Sequence, residues 1–388
     1  MQVTVIGAGI TGITTAYYLA KSRCQVTVVD ERRYPGMATS FANGGQLSAS
    51  NAEVWNSWRS VHKGIKWLFK KDAPLLINPK PSLEKYRWLA QFVTHIKNRE
   101  NNTRRTCEMA IEAHALYKQI ALEEGIEFDK VEKGILHIYR SKKELEFARD
   151  TNRLYREAGL NRWEVGKDEI LSIEPALKNS IDTVVGGFYN EQDFTGDIHK
   201  FCVELGKVLE TKYHVQFKQK QIGRYDIFQY LEKGPVVVCA GAGSRAIAKT
   251  VGDDLPIYPV KGYSITINNP GPAPWVSLLD DEAKIVTARL GEGRLRIAGT
   301  AELNGYNTDI VQARIRPLKE WTEKLFPEVN MESVTPWAGL RPMTPNMMPI
   351  VQRSTRNLGV WYNTGHGHLG WTLSAYTGRE VASLIGKH

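Results

Sequence analysis

Three glycines near the start of the chain have the spacing of a phosphate-binding turn. Gly7, Gly9 and Gly12 come directly after the apolar run at residues 3–6, and a helical pattern begins at Ile13. The first glycine permits a tight turn, the second lets a pyrophosphate approach the backbone, and the third lets helix and strand pack closely. The free N–H groups at the start of the helix, together with its dipole, would stabilise the phosphate charge.

An acidic residue stands where a ribose would bind. A second strand pattern, at residues 25–29, ends at Asp30, whose carboxylate can accept hydrogen bonds from the hydroxyls of an unphosphorylated ribose, as in FAD or NAD. A plain strand–helix–strand turn is the alternative, but it would not explain this acid. The position of this single motif at the start of the chain favours FAD. The predicted cofactor-binding residues here are Gly7, Ala8, Gly9, Ile10, Thr11, Gly12, Asp30, Glu31 and Arg32.

Two more segments are predicted to contact the same cofactor. A small polar loop at residues 40–46 can lay backbone donors along an extended ligand; an ordinary surface turn is its alternative. The apolar run at residues 235–238 is typical of a strand buried in a parallel sheet, and its end should reach the same crevice. The residues predicted from these two segments are Ser40, Ala42, Asn43, Gly44, Gly45, Gln46, Cys239, Ala240 and Gly241.

A glycine-rich turn between a strand and a helix recurs near the C-terminus, at residues 360–372. The start of this helix could close on the ring of the cofactor, whose reduced form is anionic. His366 and His368 as metal ligands are a weaker alternative, because no third ligand is evident. The residues predicted to contact the cofactor in this half of the chain are Gly339, Gly365, His366, Gly367, His368, Leu369, Gly370, Trp371 and Thr372.

One arginine stands among apolar and rigid residues. Arg341 lies in the segment 337–345, and a guanidinium in an apolar pocket suits bidentate binding of a carboxylate. The alternatives are an arginine paired with a structural acid, or an exposed one.

The positive charge is concentrated in one aromatic segment. The chain has a formal net charge of +9, and residues 55–105 contain twelve Lys and Arg against three Asp and Glu. Helical spacing of Trp55, Trp58 and Ile65 gives this segment an apolar stripe. It could pack on its own protein, or residues 55–71 could contact an anionic membrane surface. No nucleic-acid partner is predicted, because no recognised motif accompanies the charge.

Length and composition bound the fold. The 388 residues, with 42% hydrophobic and 24% charged, predict two or three globular domains. The four scattered cysteines indicate reduced thiols and no zinc site. We predict an α/β fold with a Rossmann-like parallel sheet and an α+β domain on a mainly antiparallel sheet. The cofactor domain would comprise 1–50, 195–255 and 336–388, and the substrate domain 51–194 and 256–335.

These segments together resemble the FAD-dependent amino-acid oxidase superfamily, which includes glycine oxidase, sarcosine oxidase and D-amino-acid dehydrogenase. The resemblance spans nearly the whole chain and is most specific at residues 258–264, 339–345 and 363–372. It implies hydride transfer from the α-carbon of a D-amino acid to FAD, with Arg341 holding the carboxylate. It also implies a 2-oxo acid and ammonia as products. Tyr263 is predicted as a second pocket group, with core packing as its alternative.

The resemblance leaves the acceptor and substrate open. We expect non-covalent FAD, because the 40–46 loop has no His or Cys and the C-terminal motif has no Cys. Electrons would pass to a quinone-type acceptor, in a cytoplasmic protein that can contact the inner face of the cytoplasmic membrane. A related enzyme acting on glycine, proline-type or N-methyl amino acids is the close alternative. A non-catalytic FAD-binding or RNA-associated protein is a more distant one.

Overall fold

The structure, a computed structural model, describes residues 1–67, 73–223 and 225–387. The strands are β1 (Gln2–Ile6), β2 (Gln25–Asp30), β3 (Gln46–Leu47), β4 (Leu75–Ile77), β5 (Ile135–Tyr139), β6 (Trp163–Val165), β7 (Gly186–Asn190), β8 (Phe194–Thr195), β9 (Gln216–Gln219), β10 (Val236–Val238), β11 (Tyr258–Asn268), β12 (Ser277–Asp280), β13 (Ile285–Leu290), β14 (Arg294–Leu303), β15 (Val334–Met343), β16 (Ile350–Arg353) and β17 (Val360–Thr364). The helices are α1 (Ile10–Lys21), α2 (Trp58–Trp67), α3 (Leu83–Thr94), α4 (Arg99–Glu124), α5 (Lys142–Glu157), α6 (Lys167–Ile173), α7 (Ile198–Thr211), α8 (Ile227–Leu231), α9 (Ser244–Thr250), α10 (Gln312–Leu325) and α11 (Gly370–Gly386).

A mostly parallel sheet carries the first glycine turn. Its strand order is β16-β17-β10-β1-β2-β9, and all pairs except β16–β17 are parallel. The valines of β1 and β10 are fully buried, because helices cover both faces of the sheet. Since β1, β10 and β17 are parallel neighbours, the turns that follow them lie at one edge. The predicted Rossmann-like sheet is confirmed.

A second, mainly antiparallel sheet lies over that edge. Its order is β15-β11-β14-β13-β12-β5-β7-β6, with β4 pairing to β14. Most neighbours are antiparallel, and β5–β12 and β4–β14 are parallel. Helix α10 packs against β11 and β14 and shares a buried apolar cluster with them. The predicted antiparallel sheet is therefore also present.

The predicted domain boundary at residue 336 needs correction. Strand β15 pairs along its length with β11, from Val334 opposite Ile267 to Met343 opposite Tyr258. Residues 336–343 therefore extend the second sheet instead of joining the parallel one. Helix α4, predicted to lie in the substrate domain, packs on α11, where the Tyr117 hydroxyl is 3.1 Å from Ser374 Oγ. The remaining domain assignment stays a prediction.

The basic aromatic segment is only partly described. Helix α2 has no buried residue, and the side chains of Trp58 and Ile65 are exposed. Arg59 and Lys63 both form ion pairs with Glu144 of α5, so these two cations face the protein. Residues 68–71 of the predicted membrane-contact segment lie outside the described residues. In the described part of the chain, no helix has the length and apolar character needed to cross a membrane.

Candidate active site

The glycine turn after β1 has the geometry that its sequence predicts. Gly7 has φ +107°, and a Cβ on it would lie 2.5 Å from the Cys239 carbonyl oxygen. A Cβ on Gly12 would lie 1.8 Å from the Gly7 carbonyl oxygen, so helix and turn pack backbone to backbone. A Cβ on Gly9 would meet nothing closer than Ser40 Oγ at 3.5 Å. Gly7 and Gly12 therefore serve packing, whereas Gly9 leaves open space in front of the helix.

Asp30 closes this turn from the neighbouring strand. Its carboxylate accepts hydrogen bonds from the backbone N–H of Ala8 at 2.6 Å and of Arg32 at 2.8 Å. The Ser40 hydroxyl accepts a hydrogen bond from the backbone N–H of Ile10. These contacts hold the start of α1, the end of β2 and the 40–46 loop in one fixed arrangement.

The 40–46 loop joins the two sheets and is not a surface turn. The Ala42 carbonyl accepts a hydrogen bond from the Ser264 hydroxyl of β11 at 2.7 Å, and the Gln46 amide donates to Ser277 Oγ at 2.7 Å. Gly45 has φ +72°, and a Cβ there would lie 2.7 Å from the Ala288 side chain. The close packing of this loop on the second sheet explains its small residues.

The C-terminal turn lies at the same edge of the parallel sheet. Gly365 has φ +76° and turns the chain, and His366 forms a 2.8 Å hydrogen bond between Nε2 and Thr377 Oγ1. Burial lowers the pKa of His366 to about 3, so its ring is neutral. Helix α11 then begins at Gly370 with its N-terminus toward the cavity.

These turns enclose one large cavity of about 1260 Å³. It runs from Gly9 and Asp30, past the 40–46 loop and the segment 366–372, to Arg341. Most of the predicted cofactor-binding residues line it, including Glu31, Arg32, Cys239, Ala240, Gly241 and Gly339. Three of them, Ala8, Gly12 and Gly365, shape the turns without lining the cavity.

Arg341 lies in this cavity without an acidic partner. Its guanidinium lies directly over Gly262, where a Cβ would be 2.4 Å from Cζ. One nitrogen, Nη1, donates to the Thr300 carbonyl at 3.0 Å, and no carboxylate pairs with it in the part of the chain that the structure describes. Burial lowers its pKa to about 10, so it remains cationic at neutral pH. A cation buried in this way suits a ligand carboxylate.

The structure supports core packing, the alternative for Tyr263, although the residue also borders the cavity. Gly262, Tyr263 and Ser264 all border the cavity, and alternation along β11 directs the Tyr263 side chain to the face opposite the Ser264 hydroxyl. The Tyr263 hydroxyl donates to Glu302 Oε2 at 2.7 Å, and the ring packs in the apolar cluster beneath α10. The small residues on either side of Tyr263, Gly262 and Ser264, could have indicated which face of β11 lies toward the cavity.

Sequence reasoning missed a polar part of the cavity wall. The Ser50 hydroxyl is 2.8 Å from His137 Nε2, and Asp281 accepts hydrogen bonds from the Tyr139 hydroxyl and from Lys284 Nζ, each at 2.7 Å. These residues come from three segments that are far apart in the chain. No local motif marks them, so only the fold brings them together.

His368 is a neutral histidine in the same wall. Its ring stacks on the Trp55 indole with centroids 4.5 Å apart. Neither ring nitrogen makes a well-formed hydrogen bond. Burial, and then the charge of Arg341, lower its pKa to about 3. Among the residues that the structure covers, no group of three or more His, Cys, Asp or Glu side chains could hold a metal ion.

Comparison with known proteins decides the cofactor. The family model for FAD dependent oxidoreductases matches residues 2–384. The chain belongs to this family. A D-amino acid dehydrogenase 3 of Mesorhizobium japonicum is 53% identical over 403 residues, covering 99% of this chain and 97% of the relative. A D-amino acid dehydrogenase of Dechloromonas aromatica is 38% identical, with 99% and 97% covered.

Solved structures show the same fold for this FAD-dependent oxidoreductase. Glycine oxidase from Geobacillus kaustophilus has a TM-score of 0.75 at 20% identity, covering 99% of this chain and 94% of that one. L-proline dehydrogenase from P. horikoshii has a TM-score of 0.74 at 18% identity, covering 100% and 93%. The open space at Gly9 and the carboxylate of Asp30 fit the pyrophosphate and ribose of FAD. The resemblance recognised in the sequence is thereby confirmed, and a non-catalytic role is set aside.

Proposed function

We propose that this flavoenzyme oxidises D-amino acids to 2-oxo acids and ammonia. The observation that carries the proposal is the unpaired Arg341 guanidinium in the same cavity as the Gly9 turn. A carboxylate is the ligand that its planar fork and full charge bind best. The names of the relatives from Mesorhizobium japonicum and Dechloromonas aromatica support an amino-acid substrate of D configuration.

The residues of the chain act mainly by orientation. Bound FAD supplies the two-electron acceptor for a hydride from the α-carbon. Arg341 binds the substrate carboxylate, and its contact with the Thr300 carbonyl fixes the orientation of the guanidinium. Holding the α-carbon at one position removes much of the entropic barrier. The neutral amine releases one proton to solvent as the hydride leaves the α-carbon, and water then hydrolyses the resulting imino acid to the 2-oxo acid and ammonia.

The protonation states around the cavity agree with a neutral amine. His366 and His368 both have a pKa of about 3, because burial disfavours their charged forms. The positive charge of Arg341 also opposes a second cation nearby. An amine bound beside these groups is therefore favoured in its neutral form, which is the form that can release a hydride from the α-carbon.

Anaerobic reduction of the flavin by a panel of amino acids tests this substrate class. We expect D-amino acids to bleach the absorbance of the bound flavin and their L-enantiomers to leave it unchanged. Glycine, sarcosine and proline belong in the same panel, because a related enzyme for glycine, proline-type or N-methyl substrates is the second candidate. Bleaching by these compounds alone would favour that candidate over D-amino acids.

The proposed acceptor is a quinone at a membrane surface. The exposed Trp58 and Ile65 of α2, beside the cation of Lys66, suit an anionic interface. A double variant, Trp58→Ser with Ile65→Ser, should lower co-sedimentation with anionic vesicles while the bound flavin is retained.

Reduction of a quinone analogue by the enzyme should be faster than oxygen consumption. Rapid peroxide production would contradict a quinone acceptor.

A further inference from the structure

The turn between β12 and β13 presents a lysine to the cavity in a backbone conformation that is uncommon for this residue type. Lys284 has φ +55°, in the left-handed region that non-glycine residues rarely adopt. The Asp280 carboxylate fixes the turn by accepting hydrogen bonds from the backbone N–H groups of Glu282 and Ala283, at 3.1 and 2.9 Å. The turn is therefore held in a shape that aims Lys284.

Lys284 lies directly before β13, and the neighbouring strand β14 contains Thr300, which contacts Arg341. The residue after it, Ile285, pairs with Gly299 of β14, and the next residue of that strand, Thr300, binds the Arg341 guanidinium. Neighbouring strands lie about 5 Å apart. Ile285 belongs to the cluster beneath α10, whereas Lys284 lines the cavity. A substrate held on Arg341 can thus extend its side chain toward Lys284.

The ammonium of Lys284 keeps donors available to a ligand. Its Nζ donates to Asp281 Oδ1 at 2.7 Å, and the other oxygen of that carboxylate accepts from Tyr139. The Lys284 side chain is 47% exposed, and the residue lines the cavity. An ammonium has three donors, so one ion pair does not satisfy it.

The charges around Lys284 favour an acceptor over an apolar or cationic group. Arg59 and Lys63 share the single carboxylate of Glu144, and Glu53 is already paired with Arg99. The part of the cavity around Lys284 therefore carries excess positive charge together with several polar atoms. An aliphatic side chain would desolvate these groups without replacing their hydrogen bonds, and a cationic one would be repelled.

We propose that Lys284 is a specificity-determining residue, which selects D-amino acids whose side chain ends in a carboxamide or carboxylate oxygen. The ammonium donates a hydrogen bond to that oxygen while Arg341 holds the α-carboxylate. This inference rests on the proposed function, because it requires an amino acid anchored on Arg341. It adds a second point of recognition at the other end of the substrate.

The test compares kcat/KM for D-glutamine and D-glutamate with that for D-methionine and D-lysine in the flavin-loaded enzyme. We expect the unmodified enzyme to prefer the first two. Lys284→Met should lower the ratio of D-glutamine to D-methionine about 10-fold or more, because a hydrogen bond to a charged group is lost. The loss should appear mainly in KM, with D-methionine nearly unchanged. Lys284→Arg should retain most of the ratio, and the exposed Lys143→Met should leave it unchanged.

The possible results distinguish a failure of the role of Lys284 from a failure of the proposed function. A preference for D-methionine or D-lysine in the unmodified enzyme, or an unaltered ratio in Lys284→Met, would overturn the role of Lys284 while leaving D-amino-acid oxidation intact. An equal loss toward all four substrates would indicate a structural role and would also overturn it. If no D-amino acid reduces the flavin, the proposed function fails, and this inference fails with it. If Lys284→Met does not fold, the role of Lys284 is still tested by the ratio of kcat/KM for D-glutamine to that for D-methionine in the unmodified enzyme and in Lys284→Arg.

Discussion

Gly262 and Arg341 lie on neighbouring strands and depend on each other. The guanidinium occupies the space that any side chain at position 262 would need. The sequence singled out Arg341 from its apolar setting, but the partner that makes room for it lies about 80 residues earlier and carries no functional group. Pairing of β11 with β15 is what brings the two together.

Gly262→Ala should therefore impair substrate binding without unfolding the protein. The added Cβ would lie 2.4 Å from the end of a flexible side chain, so Arg341 can move while the backbone stays in place. We expect KM for a D-amino acid to rise about 10-fold or more, since a charge-assisted contact is misplaced. Steady-state kinetics and the flavin absorbance measure this, and Asn268→Ala, at the far end of β11, serves as a control for a substitution in this strand. Unchanged KM would mean that the guanidinium does not need its position over Gly262.

A substitution of Tyr263 distinguishes a role in the core from a role in the pocket. Tyr263→Phe removes one hydrogen bond to Glu302, which keeps its contact with Asn304 at 2.8 Å. We expect the free energy of unfolding to fall by about 1 kcal/mol and kcat/KM to change less than about 2-fold. Urea unfolding and steady-state rates measure both quantities. A large loss of kcat with unaltered stability would return the hydroxyl to the active site.

At the level of secondary-structure elements, different glycines of the first turn serve packing and ligand binding. Gly12 meets backbone and Gly9 meets open space, although both belong to one short motif. The motif was predictable because its six residues form a local structure of known geometry. The polar wall around Asp281 and Lys284 was not, because three distant segments build it. Applying the alternation of β11 to Tyr263 would have favoured core packing over a role in the pocket.

Two alanine substitutions in this motif should have different consequences. Gly12→Ala places a Cβ 1.8 Å from the Gly7 carbonyl oxygen, so we expect a loss of several kcal/mol in the free energy of unfolding, or no folded protein. Gly9 has φ −70° and ψ 178°, values that alanine adopts, so Gly9→Ala should fold normally. It should bind FAD more weakly, because the Cβ enters the space left for the pyrophosphate. Equal stabilities for the two variants would refute this division of roles.

At the scale of the whole molecule, the described residues include several histidines that the fold keeps neutral. Burial lowers the pKa of His114, His366 and His368 to about 3 and that of His137 to about 4. An unfolded histidine titrates near pH 6.5, so acidification protonates these residues in the unfolded chain first. Their contribution to stability is therefore complete above about pH 6.5 and is lost as the pH falls toward 4.

The protein should become less stable between pH 7 and pH 5. Each neutral histidine changes the free energy of unfolding by up to about 1.4 kcal/mol per pH unit in this range. Asp193 acts in the opposite direction, because burial raises its pKa to about 6 and the folded state takes up its proton first. With four histidines against this one acid, the net effect is a loss of several kcal/mol. Urea unfolding at both pH values measures it. Constant stability across this range would contradict the neutral buried rings.

The central claim is that Arg341 holds the carboxylate of an amino acid for oxidation by the bound flavin. Stopped-flow measurement of anaerobic flavin reduction against D-amino-acid concentration tests it most directly, in the unmodified enzyme and in Arg341→Leu. We expect the concentration needed for half-maximal reduction to rise about 100-fold or more in the variant, with the flavin still bound. An unchanged concentration dependence would contradict it.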